Sequence, residues 1–223
     1  MIGICKLCHL QKELCDSHII PEFFYKPLYD KDHKFIRMNL EPSALKMKRY
    51  IYKGIWEQLL CKECELTLSK YEKYASEIWK SKFQNLPDKF NNLKDIDYVA
   101  FKLFLISIIW RCSVTNAKSF SIDLGIHQEI MRRMIIEGNP GKYDEYGCII
   151  SAIFYNEEEL AKDLVWPLED FDLEEFKCYR LGFGGFIWMF LIPNIHKESR
   201  SKLQFYITKL FLQESNSLII EVV

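Results

Sequence analysis

Cys5-Lys6-Leu7-Cys8 and Cys61-Lys62-Glu63-Cys64 are two Cys-x-x-Cys pairs, and Ser17-His18-Ile19-Ile20-Pro21 lies between them. A Cys-x-x-Cys bend brings two thiolates to one ion, and two such bends complete a tetrahedral four-sulfur site. The first expectation is therefore a structural Zn2+ on Cys5, Cys8, Cys61 and Cys64, whose binding contributes folding free energy to this part of the chain. The 52 residues between the pairs far exceed the roughly 15 to 20 of a compact zinc ribbon, so the second pair returns from a long excursion. His9, Cys15 and His18 lie close enough in sequence to compete as ligands.

The whole chain sets bounds on what surrounds that site. With 223 residues, 49% hydrophobic and 27% charged, it has the composition of a folded globular protein with room for one large or two small domains. The start, Met-Ile-Gly-Ile-Cys-Lys, has no charged segment followed by an apolar one, so no signal peptide is expected. The expected location is cytoplasmic, in a reducing compartment, with Cys15, Cys112, Cys148 and Cys178 as free thiols that pack as small buried residues.

Net charge is −1, but it is unevenly distributed: residues 1–94 hold 17 Lys/Arg against 12 Asp/Glu, and the remainder holds 13 against 19. The basic excess sits between Lys26 and Lys53. There Lys26, Lys31, Lys34, Arg37, Lys46, Lys48, Arg49 and Lys53 face only Asp30, Asp32 and Glu41, with Tyr25, Tyr29, Phe35, Tyr50 and Tyr52 interleaved. Such a mixture can follow a phosphate backbone, so DNA contact is expected through residues 26–53. The acidic bias of residues 140–180 reads first as a solvated face, and otherwise as a surface that repels nucleic acid or docks a basic partner.

Two units are expected, residues 1–92 and 93–223, joined through the turn formers of Asn85-Leu86-Pro87-Asp88 and Asn91-Asn92. In the first, Trp56-Glu57-Gln58-Leu59-Leu60 leads into Cys61, and Leu68, Tyr71, Tyr74, Ala75, Ile78 and Trp79 recur at helical spacing to about Phe83. The second opens with Tyr98–Trp110, apolar almost all round yet too short to cross a bilayer, and read as a central buried helix. A helix over 122–137, with Ile122, Ile126, Ile130, Met134 and Met131 inward, stops at Gly138-Asn139-Pro140-Gly141. Strands are expected at Cys148–Tyr155, Phe176–Leu181, Phe186–Pro193, Phe205–Leu212 and Leu218–Val223, with Gly182-Phe183-Gly184-Gly185 as a hairpin. The overall class is α+β, with helices on one face of a mostly antiparallel sheet.

Cys-x2-Cys, then Ser-His-Ile-Ile-Pro, then Leu-Leu-Cys-x2-Cys opening a helix resembles the HNH endonuclease family over about residues 3–75. The resemblance implies a zinc-braced treble-clef or ββα-metal core, with His18 as the general base that activates water and a divalent Mg2+ or Mn2+ on the scissile phosphate. The chain departs from the family at the other positions: Ser17 precedes the base, with Asp16 one residue further back, the middle Asn falls near Trp56 or Glu57, and Glu65 replaces the last His or Asn. Carboxylates suit such an ion, so Asp16, Glu57 and Glu65 are its candidate ligands, with Glu72 two helical turns beyond Glu65.

Two functions follow. The first is a metal-dependent HNH-like endonuclease acting on DNA phosphodiesters, with His18 and Glu65 catalytic. The second is a non-catalytic zinc-binding adaptor of a nucleic-acid-processing or defence complex, with residues 93–223 docking a protein partner.

Overall fold

Three short strands assemble around the cysteine pairs: β1 (Ile2–Ile4), β2 (Gln11–His18) and β5 (Trp56–Cys61) form an antiparallel sheet in the order β1-β2-β5. In the computed structural model the described residues are 1–32, 34–37, 49–51, 54–83, 96–142, 145–156, 159–173, 176–194 and 219–222. Between β2 and β5 lie two single 3-10 turns, Glu22–Phe24 and Lys26–Leu28, and a small antiparallel ladder of β3 (Phe35–Arg37) with β4 (Arg49–Ile51). Pro21 precedes the first turn, and Pro27, which has no N–H to donate, keeps that turn from continuing as a longer helix.

Helix α1 (Lys62–Ile78) begins directly after β5 and buries Cys64, Leu68, Ala75 and Ile78, the three-to-four spacing of one inward face. It runs into a π-helical turn over Trp79–Phe83. Helix α2 (Tyr98–Val114) is capped by the Asp97 carboxylate, which accepts from the Ala100 N–H, and every residue from Phe101 to Cys112 is buried. That all-round burial follows from packing between neighbours on several sides, α1 and α3 (Ile126–Glu137) among them. No described helix is long and apolar enough to cross a membrane.

The inward face of α3 differs from the one its sequence suggests. Met131 and Ile135 are fully buried, whereas Ile126 and Ile130 are 55% and 38% exposed. An isoleucine-rich helix offers two apolar stripes about a third of a turn apart, and the one that meets α2 wins. The helix ends as expected, on Gly138 in the left-handed region (φ 64°), with Asn139 N–H donating to Met134 O.

A second sheet has five antiparallel strands in the order β10-β6-β9-β8-β7: β6 (Cys148–Ala152), β7 (Val165–Leu173), β8 (Phe176–Phe183), β9 (Phe186–Pro193) and β10 (Ile219–Val222). β7 carries Pro167 and a run of acids, which hid it in the sequence. It is an edge strand, and Pro167 falls where the register breaks between Trp166 and Glu169, both of them settings in which a ladder tolerates proline. The strand expected at 205–212 and the linker expected at 85–92 lie outside the described residues.

β8 and β9 meet in a two-residue turn of Gly184 and Gly185, both at positive φ (63° and 84°). A Cβ on Gly184 would stand 2.5 Å from Phe24 Cδ1, so the turn is glycine for approach as well as for conformation. Phe24 is 1% exposed and contacts Trp79, Phe104, Phe183 and Trp188, at ring centroid separations of 5.0, 6.4, 4.6 and 6.0 Å. The segment leaving β2 is thus buried against α1, α2 and the second sheet. One apolar core runs from Cys5 and Leu60 through Trp110 to Phe190, across both sides of the expected boundary at 92/93.

Candidate metal centre and the polar cluster beside it

The first cysteine turn is shaped by backbone bonds: His9 N–H donates to Cys5 O (2.9 Å), Cys5 N–H to Leu10 O (3.0 Å), and His9 takes a left-handed φ of 60°. Lys6 N–H donates to Leu59 O (2.9 Å), which fastens the turn to β5 just ahead of Cys61. Cys61 then opens α1, and Cys64 sits in its first turn. The four sulfurs converge: Cys5, Cys8, Cys61 and Cys64 have ligand atoms all within 4.8 Å of one another, with Cys8 Sγ and Cys61 Sγ 3.9 Å apart. Tetrahedral coordination at about 2.3 Å requires sulfurs about 3.8 Å apart. This cluster can hold a metal ion such as zinc.

Its electrostatics fit a cation. Burial and neighbouring thiols push Cys64 well up, and burial raises Cys61. Burial acts the same way on Cys5, but backbone N–H groups of Cys8, Cys61 and Leu7 outweigh it and draw that thiol down to about 7. Four adjacent thiolates repel one another, and a divalent ion at their centre supplies the charge that lets all ionise. From outside, Arg132 of α3 donates to Leu7 O (2.6 Å) within the first cysteine turn and is itself held by both Glu129 oxygens. Among the described residues no other group of His, Cys, Asp or Glu converges in this way, and His9, Cys15 and His18 do not join it.

His18 ends β2, a few residues along the strand from the cysteine cage. Its carbonyl accepts from Arg111 Nη1 (2.7 Å), and its ring lies 6.4 Å from that of Tyr25, which is fully buried. Arg111 is 2% exposed at the end of α2 and also donates to Glu72 Oε1 (2.7 Å) and Ser107 O (3.2 Å). Glu65 accepts a very short bond from Ser17 Oγ, whose oxygen in turn accepts from Leu60 N–H (3.2 Å). Burial raises the Glu65 carboxyl above its ordinary value, and Ser17 and Arg111 offset this only in part, with Glu72 adding to the upward push. Ser17, Glu65, Glu72 and Arg111 thus form one polar cluster that joins β2 and α1 to α2.

Of the remaining sequence candidates, Glu57 stands opposite Ser17 in the β2–β5 ladder but turns to other partners. Glu57 bonds across to α2 and the segment after it: Thr115 Oγ1 (2.6 Å) and Asn116 N–H (2.8 Å) donate to Oε2, and Asn116 Nδ2 (2.7 Å) to Oε1. Burial pushes its carboxyl up, but these bonds outweigh burial and hold it below the ordinary value. Asp16 is exposed, and strand alternation places it on the opposite face of β2 from the fully buried Ser17. Of the basic excursion, Lys26 and Lys31 are exposed, while Lys46, Lys48 and Lys53 lie outside the described residues.

Arg111 and Arg132 escaped the sequence reading. An arginine near the end of a helix whose only other charge is Lys102 is the signal that could have found Arg111, because a buried guanidinium must be paired. For Arg132 the i,i+3 spacing from Glu129 announces the ion pair, but its bond to the Leu7 carbonyl is a long-range contact that no local pattern carries. Comparison with family models, with curated proteins and with solved structures returns no match.

Proposed function

We propose that the chain is a zinc-stapled, HNH-like treble-clef module that binds nucleic acid without cutting it, as an adaptor in a nucleic-acid-processing or defence assembly. The order of elements supports the treble clef: a cysteine turn within the β1–β2 hairpin, then β5 running into α1 with the second cysteine pair at the junction. Nucleic acid as the partner rests on the resemblance around Ser17-His18-Ile19-Ile20-Pro21 and on the basic excess of residues 1–94.

The observation that carries the non-catalytic reading is that the carboxylates offered for a catalytic ion are either engaged elsewhere or face away. Glu57 is tied to Thr115 and Asn116, Glu65 to Ser17 and Glu72 to Arg111, while Asp16 is on the far face of β2. A Mg2+-class ion needs several converging oxygens at short range. To assemble them here, the ion would have to displace a serine hydroxyl and a buried guanidinium.

The experiment pairs DNA binding with nicking of supercoiled plasmid, in Mg2+ or Mn2+, in EDTA, and with His18→Ala. Retained binding with no nicking above the EDTA background supports the adaptor. Nicking that requires both the divalent ion and His18 overturns it in favour of the endonuclease. One observation favours that second reading: His18, Glu65 and Glu72 all stand around a single buried arginine, a constellation from which a base and an ion site could be rebuilt if the Ser17 and Arg111 bonds opened.

A further inference from the structure

The outward face of α1 carries a row of exposed lysines. On a 3.6-residue period Lys62, Ser69, Lys73 and Lys80 fall within about 40° of one another, and all four are exposed. Lys80 lies in the π-helical turn that continues the helix. Leu66, 57% exposed, stands in the same stripe, and Lys70 flanks it. Among the described residues none of Lys62, Lys70, Lys73 and Lys80 takes part in an ion pair. Of the two exposed acids on the helix, Glu63 is bonded to Lys12 (3.3 Å) and Glu77 lies at the edge of the stripe.

We infer that this face, rather than the 26–53 excursion alone, is where the module lies against duplex DNA, with Lys62, Lys73 and Lys80 on phosphates and Ser69 between them. The inference rests on the nucleic-acid reading above and names the surface that would carry it. From Lys62 to Lys80 the row spans about 27 Å at 1.5 Å per residue. Duplex DNA presents one negative charge about every 1.7 Å of axis, so a straight row of this length meets phosphates whatever the sequence beneath it. The helix is fixed at its N-terminal end by the cysteine cage and on its inner face by the core, so the lysines are presented on a rigid rod. A bilayer surface fits less well: an interfacial helix needs a broad exposed apolar face, and among the described residues of this stripe Leu66 alone is large and apolar.

The test is the salt dependence of binding to a random-sequence 30-base-pair duplex, measured for the full chain and for the Lys62→Gln/Lys73→Gln/Lys80→Gln variant. A Lys118→Gln/Lys142→Gln variant, on other exposed lysines, serves as the control. Removing three lysine–phosphate pairings should flatten the slope of log K against log salt by about 2.7. Affinity at low salt should fall at least tenfold in the triple variant and stay within twofold in the control. Unchanged melting and metal content would show that the triple variant is folded. An unaltered slope in the triple variant, with the parent still binding, overturns the assignment to this face and leaves the nucleic-acid reading in place. A parent that binds no duplex overturns that reading itself, and binding to vesicles of anionic lipid in place of DNA overturns both.

Discussion

Replacing Arg111 with methionine should destabilise the fold by about 3 kcal/mol. The guanidinium is 2% exposed and donates to His18 O, Glu72 Oε1 and Ser107 O, at 2.7, 2.7 and 3.2 Å. Methionine fills much of the same volume, so the cost is electrostatic: Glu72 loses its counter-charge, Glu65 loses a cation that favours its ionised form, and the His18 carbonyl loses its donor. Removing one partner of a buried pair costs about 3 to 5 kcal/mol, and the 26% exposure of the Glu72 side chain sets this case at the lower end. The assay is urea unfolding at pH 7 with metal content checked. The decisive comparison is the Arg111→Met/Glu72→Gln double variant, which removes the stranded charge and should recover at least 1 kcal/mol of the loss. A loss below about 1 kcal/mol for the single variant, or strictly additive losses in the double, would refute the view that this arginine neutralises the cluster.

Other outcomes follow from the same structure. Phe24→Ala should cost about 3 to 5 kcal/mol in urea unfolding, because its ring contacts Trp79, Phe104, Phe183 and Trp188 at once. It should leave a single unfolding transition, as expected if one core spans both halves, whereas two separated transitions would contradict that. Gly184→Ala should also destabilise, through its positive φ and the 2.5 Å approach to Phe24, and pairing it with Phe24→Ala should be less than additive. Burial holds His127 below the ordinary 6.5, with Tyr146 OH at 2.8 Å from Nδ1. Its folded pKa is depressed, so the unfolded state binds the proton first and stability should fall as pH drops below about 6.5. His127→Gln should flatten that part of the stability profile, and an unchanged profile would assign the acid sensitivity elsewhere.

The cysteine cage was legible in the sequence because its chemistry is local: two residues three apart, twice, need only a return path. The position of α1 was legible for a similar reason, since its inward residues recur at one period. The second stripe of α3 was not, because periodicity does not say which of two apolar faces meets a neighbour, and Met131 and Ile135 won over Ile126 and Ile130. β7 was hidden by Pro167 and its acids, which are acceptable only because the strand lies at an edge and breaks register there. The candidate catalytic carboxylates were named from type and spacing, and their bonds to Thr115, Asn116, Ser17 and Arg111 are long-range facts that no local pattern carries.

Cys5, Cys8, Cys61 and Cys64 form a cage that can hold one metal ion, and the fold is expected to require that ion. Elemental analysis of purified protein, alongside Cys8→Ser and Cys64→Ser variants, tests this most directly. One zinc per chain is expected in the parent, with loss of that zinc in both variants and, because one core spans both halves, cooperative unfolding of the whole fold when a strong chelator strips the metal. A fully folded parent with no bound metal, or zinc retained at full stoichiometry in both serine variants, would contradict it.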